Sequence, residues 1–378
     1  MKRRTITFTA PRQVELREES LPALGADEVL VETTCTAISA GTEMLIYQGR
    51  FPRDLETDSV ISSLRGSCEY PLAYGYAAVG VVRETGTHVN KSWRDQRVFA
   101  FQPHTSHFIT KPELLITIPQ LLPPESACFL PNMETAVNLV QDGAPILGER
   151  ALVFGQGVIG LLTASLLKEF PLDALVTADC YELRRNALNV ERSTFNVQRF
   201  LSLDPDAHDF RSKALAALAL PATDSSLNSR SSLNLDSRSD SRSGSPVELP
   251  GYTQEGFDLT FELSGNPFAL NDAIALTRFS GRVVIGSWYG EKRAPIDLGG
   301  AFHRSRIKLI SSQVSTIAPE LSARWDKSRR FGVARDALAR IQPEKWITHR
   351  FPLDRAADAY RLLDERPQET IQIIFTYS

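Results

Sequence analysis

The chain has 378 residues, 42% hydrophobic and 23% charged, with a formal net charge of −3. That is the composition of a globular chain long enough to bury a core without disulfide or metal staples, at about two domains for roughly 150 residues each. The near balance of charge excludes a strongly basic binder, so neither nucleic acid nor membrane is expected as a partner.

Residues 1–145 read as mostly β. "RTITFTA", "EVLVETTCTAIS", "AAVGVVRETG" and "RVFAF" are short β-branched or aromatic runs bounded by Gly, Pro, Asp or Asn. "LPPESACFLPNMETAVNLVQDG" then has apolar residues at helical spacing, with Gly143 placed to end it. Residues 146–312 change rhythm. "RALVFG" and "DALVTADC" read as buried strands, "VIGLLTASLLKEF" and "ELRRNALNVER" as helices, and the alternation resumes at "FDLTFELSG", "NPFALNDAIALTRF", "GRVVIGS" and "RIKLISSQ". Continuous apolar strands alternating with helices predict an α/β fold with a doubly wound parallel sheet. Between the halves, residues 222–248 are rich in Ser, Asn, Asp and Arg and poor in large apolar residues. They read as a disordered surface loop, with a basic or phosphorylatable recognition tail as the alternative. Residues 313–378 return to mixed structure, with amphipathic helices at "FGVARDALARI" and "LDRAADAYRLLDE" and a closing strand "TIQIIFTY", expected to pack back on the first part.

The four cysteines, Cys35, Cys68, Cys128 and Cys180, form no C-x-x-C pair. They indicate neither a structural zinc module nor a disulfide framework, and a reducing cytoplasmic setting is expected. "MKRRTITFTAPRQVEL" lacks the apolar stretch of a secretory signal, and no run approaches the roughly 18 apolar residues of a membrane span.

Gly155, Gly157 and Gly160 form G-x-G-x-x-G directly after a predicted strand and at the head of a predicted helix. That context is the one a dinucleotide requires. Gly155 permits the tight turn, Gly157 lets a pyrophosphate approach the backbone, and Gly160 lets helix lie on strand. The N–H groups of the helix start, at Val158 and Ile159, face the phosphates. Asp179, at the end of the second strand, stands where a carboxylate accepts from the ribose hydroxyls and repels a 2′-phosphate, which favours NAD over NADP. Arg184 and Arg185 are either the holders of such a phosphate or exposed residues of the next helix.

A β-rich region, a Rossmann unit and a return resemble the medium-chain dehydrogenase/reductase superfamily, the alcohol dehydrogenase-like group, over nearly the whole chain. "ISAGTEMLIYQG" stands where that family has Cys-Gly-x-Asp, and "YPLAYGYAAVGVV" where it has Gly-His-Glu. The resemblance implies a GroES-like catalytic domain split around the cofactor domain. It also implies Thr135 of "METAVNLV" beside the nicotinamide, Ser264 of "FELSGNP" near the ribose, and Gly286 of "GRVVIGSWYG" near the nicotinamide. A small-molecule substrate and a homo-oligomer follow by the same analogy.

The departures concern zinc. Ser39 or Ala40 stands at the Cys position, Tyr76 and Ala77 at His and Glu, and Pro131 at the third ligand; the structural zinc lobe is absent. None of these is a good zinc ligand, so no catalytic zinc is expected. His104 and His107 are substitute ligands or ordinary loop histidines. Among zinc-less members, "SAGTE" and "GYAAVG" most resemble the branch containing bacteriochlorophyllide a 2-hydroxyethyl dehydrogenase.

Without zinc, side chains must serve the substrate oxygen. Tyr76 is placed by the resemblance near the nicotinamide, as a general acid or as a filler of the space a metal leaves. Thr42 and Glu43 follow the ligand segment. Glu43 relays protons, binds a substrate hydroxyl or pairs with an arginine; Glu134 is a further candidate, or pairs within its helix. Phe51, Trp288 and Tyr289 can stack on a flat substrate or belong to the core. The expected function is NAD(P)-dependent oxidoreduction of an alcohol/carbonyl pair. The alternatives are reduction of a polarised C=C bond and a non-catalytic dinucleotide-binding protein.

Overall fold

A computed structural model describes residues 1–52, 66, 69–188, 196–218 and 255–377. The predicted loop at residues 222–248, and Cys68, lie outside the described residues. The first part runs β1 (Lys2–Ala10), β2 (Gln13–Ser20), β3 (Val29–Ala37), α1 (Ala40–Tyr47), β4 (Leu72–Ala73), β5 (Ala78–Thr85), β6 (Arg97–Ala100), β7 (His107–Thr110), β8 (Ile116–Thr117), α2 (Pro124–Ala127) and α3 (Leu130–Gly143). The middle runs β9 (Arg150–Phe154), α4 (Val158–Leu167), β10 (Ala174–Ala178), α5 (Glu182–Asn186), β11 (Arg199–Leu203), α6 (Phe210–Ala216), β12 (Phe257–Glu262), α7 (Ala269–Leu276), β13 (Thr277–Ile285) and β14 (Lys308–Ser311). The return contributes α8 (Lys327–Ile341), β15 (Ile347–Pro352), α9 (Ala356–Glu365) and β16 (Gln372–Thr376).

The middle strands form one parallel sheet in the order β11-β10-β9-β12-β13-β14. This is the doubly wound order, and its direction reverses between β9 and β12, the crevice where such sheets bind ligands. β10 is buried at every position, as a strand covered on both faces must be.

The return packs on the first part. β16 pairs antiparallel with β3, Ile374 opposite Ala37 and Phe375 opposite Thr36, within a sheet ordered β15-β16-β3-β5-β6-β8 with β7 also on β3. β1, β2 and β4 form a small separate sheet. One apolar core joins the parts, from Cys35 and Phe99 through Met133 of α3 and Leu161 of α4 to Leu338 of α8.

Two local expectations change. The single helix predicted before Gly143 is two, α2 and α3, broken at Cys128–Phe129, because Pro131 has no N–H and is tolerated only in a first turn. α3 ends at Gly143, but the left-handed residue is Ala144, at φ 42°. Gly143 is required for packing, since a Cβ there would stand 2.7 Å from Cζ of Phe261.

Candidate active site

The glycine turn joins β9 to α4 at the reversal of the sheet. Gly155 has φ +85°, and a Cβ there would stand 2.5 Å from the carbonyl oxygen of Leu263. Gly160 is tighter still, its Cβ position lying 1.8 Å from the Gly155 carbonyl oxygen. Gly157 is the opposite case, with no atom within 4 Å of where a Cβ would be. Two glycines therefore serve packing, and the third leaves an open face at the start of α4. No side chain caps that helix, so the N–H groups at Val158 and Ile159 remain for a ligand. Such a cradle fits the pyrophosphate of a nicotinamide dinucleotide.

Asp179 follows β10 and is buried. Its Oδ2 accepts from the N–H of Gln156 inside the glycine turn at 2.7 Å, and its Oδ1 from the N–H of Tyr181 at 2.8 Å. The carboxylate thus fixes the glycine turn against the end of β10. Arg184 is engaged elsewhere: its guanidinium donates to the carbonyls of Thr370 and Pro367, both at 3.1 Å. Arg185 stays beside Asp179, donating to its carbonyl at 2.8 Å and pairing with Asp204 at 3.0 Å.

Beyond β12 the organising group is Glu262, wholly buried and not singled out from the sequence. Its Oε1 accepts from the N–H of Ser264 at 2.8 Å and from the Ser264 hydroxyl; its Oε2 accepts from Tyr289. Burial, then the Glu262 charge, raises the Tyr289 phenol far above its ordinary pKa and keeps it a donor. Tyr289 is thereby tied to the sheet rather than free to stack on a substrate. Gly286 lies between Leu139 and Leu263, whose methyl carbons would each stand 2.6 Å from a Cβ. It is a close-packing position, and its N–H donates to the Glu262 carbonyl at 3.1 Å.

Where the family resemblance places metal ligands, the Ser39 hydroxyl and the Tyr76 phenol are hydrogen-bonded to each other. Both are half-buried. Ala77 and Pro131 supply no ligating side-chain atom, and the described residues hold no group of three His, Cys, Asp or Glu able to bind a metal. This donor set does not fit zinc, which takes thiolate, imidazole and carboxylate. Thr42 sits half-buried in the first turn of α1, its N–H donating to the Ser39 carbonyl at 3.1 Å. Thr135 is half-buried on α3, its hydroxyl donating back to the Pro131 carbonyl at 2.9 Å. The rings of Phe51, which belongs to an apolar core, and of exposed Trp288 meet edge to face, 5.0 Å apart.

Two catalytic candidates need correction. Glu134 faces α8, away from the crevice, in a buried ion pair with Arg330. Glu43 is wholly buried, accepting from the N–H of Ser39, the ring of His104 and the hydroxyl of Tyr360, so no substrate reaches it. His104, buried with both ring nitrogens engaged, is no metal ligand. His107 lies on β7 against Ser106, its ring held neutral by burial. Arg330 and Glu262 escaped the sequence reading. A charged residue ending a buried strand marks Glu262, whereas nothing local marks Arg330.

In fold the chain is similar to solved dehydrogenase structures. No protein-family model matches the chain. Two curated relatives run nearly its full length. Starvation-sensing protein RspB of Escherichia coli (strain K12) is 21% identical over 411 residues, covering 99% of each chain. L-galactonate-5-dehydrogenase of the same strain is 22% identical over 383 residues, covering 97% of each. Of the solved structures, rspB from E. coli CFT073, named a short chain alcohol dehydrogenase and complexed with NADH, superposes with a TM-score of 0.70 at 17% identity over 99% of each chain. A dehydrogenase described as zinc-binding, from Sinorhizobium meliloti 1021 and bound to NADP, superposes with a TM-score of 0.69 at 17% identity over 100% of this chain and 99% of its own. No helix among the described residues is long and apolar enough to cross a membrane.

Proposed function

We propose that the chain is an NAD(P)-dependent oxidoreductase that interconverts an alcohol and a carbonyl compound without a catalytic zinc, with Tyr76 serving the substrate oxygen and Ser39 as its hydrogen-bond partner. The observation that carries the reading is the open face of Gly157 at the head of an uncapped α4, at the reversal point of the parallel sheet. A bound nicotinamide supplies or accepts the hydride. The chain does the rest. The α4 N-terminus holds the phosphates, and Asp179 stands at the ribose side, which favours NAD. In reduction the Tyr76 phenol gives its proton to the carbonyl oxygen as negative charge develops there, the Ser39 hydroxyl donates a hydrogen bond to the phenolate left behind, and water returns the proton to that phenolate. Phe51 and Trp288 close the crevice and limit water at the reacting oxygen. The relatives named as dehydrogenases and the NADH and NADP complexes of the structural neighbours support this reading, as does the likeness of "SAGTE" and "GYAAVG" to the zinc-less branch. A homo-oligomer belongs to the same proposal, with β14, the edge of the parallel sheet, as the strand open to pairing.

The test uses purified, chelator-treated protein. NADH and NADPH are titrated by nicotinamide fluorescence, and coenzyme oxidation is then followed with ketones and enones side by side. The expected result is tighter binding of NADH and turnover of ketones that survives chelation. Absence of binding at high micromolar coenzyme overturns the oxidoreductase reading. Turnover of enones alone replaces it with C=C reduction, and activity lost on chelation and restored by zinc overturns the metal-free chemistry.

A further inference from the structure

Glu43 and His104 sit in a buried hydrogen-bond system next to the Ser39–Tyr76 pair. Both side chains are fully enclosed. Glu43 Oε1 accepts from the Ser39 N–H at 2.7 Å, while Oε2 accepts from Tyr360 at 2.5 Å and faces His104 Nε2 at 2.9 Å. A carboxylate only accepts, so the His104 proton sits on Nε2. The other ring nitrogen, Nδ1, is hydrogen-bonded to the Thr36 hydroxyl at 2.7 Å. Thr36 is in turn hydrogen-bonded to the Tyr377 hydroxyl at 3.0 Å. Each donor has an acceptor, which is what makes a buried polar network rigid rather than costly. Burial and the nearby Glu43 charge raise the Tyr360 phenol, which keeps it protonated as a donor.

This system grips the two chain segments that carry the proposed catalytic pair. On one side Glu43 holds the backbone of Ser39, where the chain enters α1. On the other, the His104 ring lies against Gly75, where a Cβ would stand 2.8 Å from both Cδ2 and Nε2, and the His104 N–H donates to the Tyr74 carbonyl at 3.4 Å. The residue following Gly75 is Tyr76. Glycine at this position, with φ +125°, is what lets the ring come so close.

We propose that Glu43 and His104 are positioning residues that set the Tyr76 phenol against the Ser39 hydroxyl, without touching substrate themselves. The proposal rests on the reaction proposed above. A reacting group displaced by about 1 Å can cost on the order of 100-fold in rate. The clamp therefore acts on kcat and leaves coenzyme affinity alone.

Three variants test it, each assayed well below its own melting temperature: Glu43→Gln, His104→Leu and His104→Gln. Glu43→Gln keeps the shape and the acceptor for Ser39 but turns donors toward His104. His104→Gln restores an N–H aimed at Glu43. The readouts are kcat, KM, NADH affinity and the titration of the Tyr76 phenol, taken as the ultraviolet difference from Tyr76→Phe in the same background. We expect kcat to fall by roughly 10- to 100-fold in Glu43→Gln and His104→Leu, with NADH affinity unchanged. Partial recovery is expected in His104→Gln, and the Tyr76 titration midpoint should move with the loss of rate. Should His104→Leu fail to fold, the isosteric Glu43→Gln decides. Folded variants with unaltered kcat and an unmoved Tyr76 titration overturn the positioning role. Because that titration needs no turnover, it separates this failure from that of the proposed reaction, which shows instead as an inactive wild-type protein.

Discussion

Arg330 reaches from α8 to Glu134 on α3, its Nε 3.1 Å and its Nη2 3.0 Å from the same carboxylate oxygen, with both side chains closed to solvent. The guanidinium also donates to the Thr316 carbonyl at 3.0 Å, to the Val314 carbonyl and to Asn138 Oδ1, so its donors are largely spent on backbone and side chain alike. Lys327 adds a second cation to the carboxylate. Removing one member of such a pair leaves the other charged and buried, at a cost of about 3–5 kcal/mol. Glu134→Ala should therefore lower the unfolding free energy extrapolated from denaturant titration by about that amount. A fully stable Glu134→Ala protein with lost activity would restore Glu134 to the catalytic list.

The glycine turn predicts two alanine variants of opposite character. Gly160→Ala places a methyl 1.8 Å from the Gly155 carbonyl oxygen and should unfold the turn or the protein, seen as a large drop in melting temperature. Gly157→Ala has open space and a φ of −65°, so it should fold normally and lose at least about tenfold in NADH affinity, because its methyl takes the place of the pyrophosphate. Unchanged affinity in Gly157→Ala would mean that no phosphate approaches this face.

Tyr76→Phe removes the proposed proton donor and keeps the ring. General acid contributions are typically about 10²- to 10⁴-fold, and a kcat loss in that range at unaltered NADH affinity is expected. Ser39→Ala removes only the partner hydroxyl and should cost less. Full activity of Tyr76→Phe would make the tyrosine a filler of space.

Glu125 and Arg350 supply a pH-dependent contrast. Two parallel bonds, at 2.8 and 2.6 Å, join them on the surface, and the hydrogen bond from Arg350 holds the Glu125 carboxyl below its usual pKa. A carboxyl depressed by folding stabilises above its unfolded pKa of about 4.3, and that contribution is lost as pH falls through the folded value. Solvent screening limits the pair to about 1 kcal/mol or less. Glu125→Gln should then be slightly less stable than wild type at pH 7, and the difference should narrow as the pH falls below the unfolded value. A gap that does not narrow in acid would assign the effect to packing.

What could be read in advance was local. The strand, the three glycines, the helix and Asp179 lie within one stretch of chain, and the pattern carries the turn geometry with it. The same holds for the fully apolar "ALVTA", whose lack of alternation foretells burial on both faces. The polar chemistry was not legible in this way. Glu43 and Glu134 look alike in sequence as acids on helices flanking the crevice. Only the fold brings Tyr360 and His104 to the first and Arg330 to the second. Tyr289 looked like a stacking aromatic, and Glu262 turned its hydroxyl inward. Each of those partners stands at least 27 residues away in the chain, so no local periodicity or spacing announces it.

The pairing of β16 with β3, Phe375 against Thr36, has a consequence for how the molecule is made. As a nascent chain leaves the ribosome, β3 emerges early and must wait for one of its neighbours until the whole parallel sheet has been synthesised. That sheet is contiguous in the chain, from Arg150 to Ser311, and can close first. Distant pairings such as β3 with β16 are the slow ones. The sheet that holds β3 is therefore completed only after the parallel sheet has been made, when β15 and β16 emerge.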